Sequence, residues 1–184
     1  TVFTAVELIL NKGWNYQQPW LEEVKLIEGF PWHQTGLGRA RPVREWLKLG
    51  VKKRNKNVID YFNDLETTLI LPQGRYGPKF LAYPNFKVFM KWNNSFMYST
   101  TAAYLANRLR GDPVFISQGP ADILDFGDMV ELQEILHELG YAVGKIDGIL
   151  GAKTRQSVRA VQIHLGFPAD SWPTADLLKV LKSI

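Results

Sequence analysis

Leu139-Gly140-Tyr141-Ala142-Val143-Gly144-Lys145-Ile146-Asp147-Gly148-Ile149-Leu150-Gly151 is the stretch that decides the fold of the last third of the chain. It has no sustained period, and a helical pattern lies on each side of it. Upstream, Met129, Leu132, Ile135, Leu136 and Leu139 recur at the spacing of one helix face. Asp128 is placed to cap that helix and Gly140 to stop it. Downstream, Thr154, Val158, Val161 and Leu165 define a second helix stopped by Gly166, and Thr174 caps a third that turns Leu177, Leu178 and Leu181 inward. Within the stretch, Asp147, Gly148 and Gly151 read as a structural turn. Gly148 suits a φ closed to other residues, and Asp147 can bond its own backbone. A faint internal echo links Leu132-Gln133 through Leu139-Gly140-Tyr141 with Val161-Gln162 through Leu165-Gly166-Phe167. A three-helix unit of about 60 residues is small but able to fold alone.

Working back toward residue 1, residues 111–125 carry Gly111, Pro113, Gly119 and Pro120 without a period, which sets a boundary there. Before it, Ser95 caps a helix with Tyr98, Ala102, Leu105 and Leu109 on its expected inner face. Pro84 opens another, with Phe86, Phe89, Met90 and Asn93 on one side. Residues 65–71 and 80–83 read as partner strands joined by the turn-rich residues 72–78, and Glu23-Val24-Lys25-Leu26 alternates like a third strand. Helical segments are expected over 3–12, with Phe3, Val6, Ile9 and Leu10 aligned and Gly13 as the stop, and over 42–49 behind Pro42. The expected class is therefore α+β, mainly α with a small antiparallel insertion of about three strands. The expected domains are residues 1–111, a linker at 112–121, and a three-helix module at 122–184.

Composition narrows the function. The chain has 184 residues, 46% of them apolar and 22% charged, as in an ordinary globular protein. Aromatics reach 12% with six Trp, which suits a large core or sugar-binding surfaces, the core reading being the commoner one. The formal charge is +4, and the basic run Lys52, Lys53, Arg54 and Lys56 reads as a solvated loop, so no nucleic-acid partner is expected. There is no cysteine, which excludes disulfides and thiolate metal sites. His33, His137 and His164 lie too far apart to suggest a metal, and Gly36-Leu37-Gly38 lacks the rest of any nucleotide fingerprint. No metal and no cofactor is expected. No run of about 18 apolar residues exists, so no transmembrane segment is expected in this stretch. The opening Thr1-Val2-Phe3-Thr4 reads as helix interior without Met or leader, the expectation being a processed or truncated chain.

Several of these residues also carry a resemblance. Leu132-Gln133, Leu139-Gly140-Tyr141, Asp147-Gly148, Gly151, Lys153-Thr154-Arg155, Val158 and Val161-Gln162 together resemble the signature of the peptidoglycan-binding domain type 1, over residues 122–184. One departure is Ser171-Trp172-Pro173-Thr174, where that family more usually has a turn with Gly. Residues 1–111 resemble the C-terminal half of the catalytic region of membrane-bound lytic transglycosylase B-type enzymes. The resemblance rests on Gly13-Trp14, Pro19-Trp20, Arg41-Pro42, Glu45-Trp46, Gly77-Pro78-Lys79-Phe80-Leu81, Tyr83-Pro84-Asn85-Phe86, Trp92-Asn93-Asn94-Ser95 and Tyr98. It implies a partial lysozyme-like helical core with a β insertion.

What the resemblance implies about chemistry is specific. Such enzymes cleave the bond between N-acetylmuramic acid and N-acetylglucosamine and leave a 1,6-anhydro ring. One carboxyl group serves as acid and then base, and partial burial raises its pKa to suit. The two-carboxylate scheme of other glycosidases does not transfer. In the family that glutamate sits in a Glu-Ser motif shortly before an aromatic residue and Gly. None of Glu7, Glu22, Glu23, Glu28, Glu45, Glu66, Glu131, Glu134 or Glu138 has that context. No catalytic residue is therefore expected in this chain, and the chain is expected to be a fragment. The resemblance carries Trp92, Asn93 and Tyr98 onto the substrate groove, against the alternative that they are core residues at a helix junction. Tyr141, Arg155 and Phe167 are candidates for contacting glycan or stem peptide, with surface packing as the alternative. The implied partners are peptidoglycan glycan strands and the N-terminal half of the same protein. The implied location is the periplasm or cell envelope of a Gram-negative bacterium, with any outer-membrane lipid anchor encoded outside this stretch. The competing reading is a non-catalytic peptidoglycan-binding or anchoring protein. A wall amidase with the same module would need zinc ligands that the sequence does not offer.

Overall fold

In a computed structural model of the chain, residues 7, 9–54, 62–119 and 123–184 are described. The chain forms two compact units that interleave along the sequence. The first comprises Thr1–Phe30, Gly38–Ile70 and Lys79–Phe115, and the second Pro31–Leu37, Leu71–Pro78 and Ile116–Ile184. Phe3, Val6, Lys56 and the boundary residues 120–122 lie outside the described residues. No helix among the described residues is long and apolar enough to cross a membrane.

The first unit is built on a five-stranded antiparallel sheet with strand order β2-β4-β5-β1-β3. Its strands are β1 (Leu21–Leu26), β2 (Ala40–Pro42), β3 (Val51–Lys53), β4 (Glu66–Ile70) and β5 (Phe80–Ala82). The sheet is thus larger than the three strands expected. The two additions, β2 and β3, have three residues each and lack the apolar run that marks the equally short β5. The β4–β5 pairing sets Leu69 against Leu81, and the β1–β5 pairing sets Glu22 against Leu81. Helix α1 (Val43–Lys48) buries Val43 and Trp46, and the Trp46 indole N–H donates to the Thr67 carbonyl at 3.1 Å. Lys52 and Lys53 belong to β3 rather than to a solvated loop. The Lys53 side chain is only 10% exposed, with its ammonium 4.0 Å from Glu22.

This unit also contains the helices α2 (Phe86–Trp92) and α3 (Phe96–Leu109). Ser95 caps α3 by accepting a hydrogen bond from the Tyr98 amide. The buried face of α3 is Phe96, Ser99, Thr100, Ala103 and Asn107. The expectation that Tyr98, Leu105 and Leu109 point inward is corrected: they are 54%, 56% and 82% exposed. Small and polar side chains won the inner face because they let the helix approach the sheet closely and supply bonds to it. The Asn107 amide donates to the Leu21 carbonyl at 2.9 Å, and the Trp20 indole to the Ala103 carbonyl at 3.0 Å.

Among the described residues the second unit carries the α-helices α4 (Phe126–Glu138), α5 (Ala152–His164) and α6 (Ala175–Leu181). Their core contains Met129, Leu132, Leu136, Val158, Val161, Leu177, Leu178 and Leu181. Leu139, expected inside, is 46% exposed. The cap of α4 is Asp125, three residues earlier than expected, and its carboxylate accepts from the Asp128 amide at 2.8 Å. Thr174 caps α6.

The internal echo has a structural cause. Buried Gln133 on α4 accepts from the amides of Asp147 and Gly148 and donates to the carbonyls of Lys145 and Ile149. Buried Gln162 on α5 accepts from the Ser171 amide and donates to Asp170 and to the Trp172 carbonyl. In each loop an Asp carboxylate accepts from the amide two residues on, Asp147 from Ile149 and Asp170 from Trp172. Gly148 (φ +68°) and Ser171 (φ +64°) hold equivalent left-handed positions. The unit is therefore two helix–loop–helix turns sharing α5, each loop held by one buried glutamine. The departure at Ser171 is a side chain seated where the first loop has glycine.

Candidate functional site

Trp92, Asn93 and Tyr98 meet at the α2–α3 junction of the first unit. Trp92 ends α2 and is 50% exposed, and Tyr98 stands in the first turn of α3. Both line an apolar hollow of about 210 Å³ with Ile9, Trp14, Val88, Phe89 and Ala102. Trp14 braces this wall, its ring edge-on to Phe89 with centroids 5.9 Å apart. Asn93 follows Trp92 in the chain but is committed locally. It leaves the helix with extended backbone, its side-chain oxygen accepts from the Ser95 amide at 3.0 Å, and its carbonyl accepts from the Ser99 hydroxyl at 2.9 Å. The junction thus presents two exposed aromatic surfaces, and the Asn side chain holds the turn between them.

A second feature of this unit escaped the sequence reading. Glu22, dismissed for lack of a motif, is a largely buried carboxyl group of the sheet, its side chain 13% exposed. The Tyr83 phenol donates to it at 2.5 Å, Lys53 stands 4.0 Å away, and its other oxygen has no partner among the described residues. Burial raises its pKa, opposed by the Tyr83 hydrogen bond and by the charges of Lys53 and Arg110. The Tyr83 phenol is pushed upward by the same burial and by Glu22. No local pattern marks such a group, because Tyr83 and Lys53 reach it only through the β1–β5 and β1–β3 pairings.

In the second unit the Asp147-Gly148 turn is rigid. A side chain at Gly148 would meet the Phe126 ring at 2.5 Å. Gly151 is the N-cap of α5, without a positive φ. Arg155 faces inward, which corrects its assignment to a ligand contact. It is 6% exposed, donates to the Pro72 carbonyl at 2.7 Å and the Leu71 carbonyl at 3.4 Å, and lies over the Trp172 ring. Desolvation lowers its pKa to about 10, opposed by Asp170. Asp170 in turn binds the amide and guanidinium of Arg75 at 3.0 and 3.1 Å. Arg159, one turn beyond Arg155, donates to the His33 carbonyl. These residues fasten segments 31–37 and 71–78 to α5, so their work is architectural. Tyr141 and Phe167 are half-buried and pack against the helical core. Each follows a helix-ending glycine and donates its amide to a carbonyl five residues back, the arrangement in which an apolar residue seals a helix C-terminus. No group of three or more His, Cys, Asp or Glu among the described residues could hold a metal.

Comparison with known proteins gives two family matches. Residues 2–107 match the transglycosylase SLT domain, and residues 127–181 match the peptidoglycan binding domain. No curated protein matches. Among solved structures, the chain is similar to SltB3 from Pseudomonas aeruginosa in complex with NAG-anhNAM-pentapeptide, with 35% identity, a TM-score of 0.80, and coverage of 95% of this chain and 48% of that one. The same protein in complex with NAG-NAM-pentapeptide matches at 34% identity and a TM-score of 0.79, over 95% of this chain and 47% of that one. The chain thus spans about half the length of the solved structures it matches.

Proposed function

The chain belongs to the transglycosylase SLT domain family, and from that premise we propose that it serves the non-hydrolytic cleavage of peptidoglycan between N-acetylmuramic acid and N-acetylglucosamine, leaving a 1,6-anhydro end. The observation that carries this reading is the likeness over 95% of the chain to a protein held in complex with NAG-anhNAM-pentapeptide. The B-type motifs, from Gly77-Pro78-Lys79-Phe80-Leu81 to Trp92-Asn93 and Tyr98, support the same branch.

In this reading the residues divide the work. Trp92 and Tyr98 offer aromatic faces to sugar rings along the groove, and Asn93 fixes the turn between them. The acid–base carboxyl group is supplied by polypeptide outside these 184 residues, since no Glu here has the family's motif around it. Leu105 and Leu109 on α3, 56% and 82% exposed, are the apolar face that this polypeptide covers. The C-terminal helical unit holds the enzyme on the insoluble wall, which raises the effective concentration of substrate at the groove. The location is the cell envelope.

Complementation tests the proposal. The chain is mixed with a separately expressed segment containing the family's Glu-Ser motif, and soluble products from purified peptidoglycan are analysed. Release of 1,6-anhydromuropeptides only by the mixture supports the division of labour. A mixture that associates and still releases none contradicts it.

A further inference from the structure

The two turns of the second unit share one framework but not one environment. The buried glutamine that holds each turn stands seven positions after Phe126 on α4 and seven after Arg155 on α5. It binds the turn Asp147-Gly148-Ile149 in the first case and Asp170-Ser171-Trp172 in the second. Phe126, Asp147, Gly148 and Ile149 therefore correspond to Arg155, Asp170, Ser171 and Trp172. We propose that the first turn is a docking face for another protein, which presents to it an exposed turn carrying an arginine beside apolar residues.

What such a framework holds is visible at the second turn. There the segment Leu71-Pro72-Gln73-Gly74-Arg75, part of the same unit, lies against it. Arg155 donates to the Leu71 and Pro72 carbonyls. Gly74 sits so close to Trp172 that an added Cβ would stand 2.6 Å from the Trp172 Cβ. The Asp170 carboxylate accepts from both the amide and the guanidinium of Arg75. Arg155, Asp170 and Trp172 are all buried beneath this cover.

The first turn keeps the framework and lacks the cover. Phe126 is 72% and Ile149 65% exposed, and neither belongs to the buried helical core. The Phe126 ring lies against the turn, 2.5 Å from where a Cβ on Gly148 would stand, so ring and turn form one surface. Asp147 is exposed and spends one oxygen on the Ile149 amide. Among the described residues it enters no ion pair, and neither does Asp125 beside Phe126 or Lys145 in the same loop. The position that takes a guanidinium in the second turn is thus an accessible, unpaired carboxylate at the edge of an apolar patch. An apolar centre with a charged rim is the composition of a protein contact. Charge complementarity selects a cationic partner, and the fork of an arginine fits a carboxylate best. Phe126 stands where Arg155 would grip carbonyls, so the partner's turn is held here by apolar contact. A second copy of this chain cannot offer its own Leu71–Arg75 turn, because Leu71, Pro72 and Gly74 are already buried.

The test titrates the ¹⁵N-labelled chain with a head-to-tail cyclised peptide of the sequence Leu71-Pro72-Gln73-Gly74-Arg75-Tyr76-Gly77-Pro78. The expected result is backbone amide shifts clustered at residues 125–128 and 145–150, with an affinity of about 1 mM or tighter. Arg75→Glu in the peptide, and Phe126→Ala or Asp147→Asn in the chain, should each weaken binding by about tenfold. Asp147→Asn keeps the oxygen that holds the turn and so reads the charge alone. Absence of those shifts at millimolar peptide, or an affinity indifferent to the peptide's charge, overturns the site. Shifts at residues 155 and 170–172 instead place the peptide on the second turn and also overturn it. Shifts of the same amides with NAG-NAM-pentapeptide give the face to peptidoglycan, and shifts on concentrating the chain alone give it to a second copy. Either result overturns the proposed partner, and neither touches the peptidoglycan-cleavage reading of the first unit.

Discussion

Replacing Gln133 with Leu should release the loop between α4 and α5. Leu has nearly the same volume, so packing around this fully buried side chain is kept. What is lost is its set of bonds. The Asp147 and Gly148 amides, at 3.0 and 2.8 Å, lose their acceptor. The carbonyls of Lys145 and Ile149, at 3.2 and 3.1 Å, lose their donor, and the Thr154 hydroxyl retains only its bond to Val143. An orphaned buried group costs about 1–3 kcal/mol, and carbonyls tolerate the loss better than amides. Two orphaned amides, partly rehydrated because the loop is at the surface, give a loss of about 3 kcal/mol. That is a large part of the roughly 5–15 kcal/mol that stabilises a typical domain. Urea unfolding followed by far-UV circular dichroism reads the effect as a lower midpoint at unchanged slope. Gln133→Glu is the partner experiment. Its carboxylate still accepts from the two amides but faces the Lys145 and Ile149 carbonyls with no hydrogen to give. Its folded-state pKa is then raised, so its stability is full at low pH and lost as pH rises. A loss below about 1 kcal/mol for the Leu variant, together with no pH dependence for the Glu variant, would refute the view that this side chain holds the loop.

Three further outcomes are expected. Glu22 binds its proton more tightly folded than unfolded, so its contribution is full below the ordinary carboxyl value of 4.5 and lost as pH rises through the raised folded-state value. Glu22→Gln should flatten that decline in a stability–pH series and leave the variant at least as stable as the parent at pH 7. Ser171→Gly should hold or raise the urea midpoint, because relief of φ +64° at a non-glycine residue is worth about 1–2 kcal/mol against about 0.5–1 kcal/mol of added chain entropy. Gly148→Ala should lower stability by about 2 kcal/mol, from the φ of +68° and the clash with Phe126, and adding Phe126→Ala should recover part of that loss.

The helices of the C-terminal unit were legible because they repeat an apolar face over two or more turns, as Met129, Leu132 and Leu136 do. The short strands β2 and β3 were not: β5 is equally short but is an apolar run, whereas Ala40-Arg41-Pro42 and Val51-Lys52-Lys53 are not. Helix α3 misled in an instructive way. Its apolar residues Tyr98, Leu105 and Leu109 keep a helical spacing, yet the buried face is Phe96, Ser99, Thr100, Ala103 and Asn107. Hydrophobic periodicity identifies a face that wants covering and cannot say which surface covers it. Site residues followed the same rule. Trp92, Asn93 and Tyr98 were singled out by the family resemblance and not by any local period. Buried Glu22 and the inward turn of Arg155 depended on partners about 30 to 85 positions away, reached through strand pairing or through the carbonyls of Leu71 and Pro72.

The most direct measurement is to incubate the 184-residue chain alone with purified insoluble peptidoglycan, sediment it, and analyse the supernatant by mass spectrometry. The account predicts protein in the pellet and no 1,6-anhydromuropeptides in solution. Release of those products by the chain alone would contradict the claim that its catalytic carboxyl group lies elsewhere.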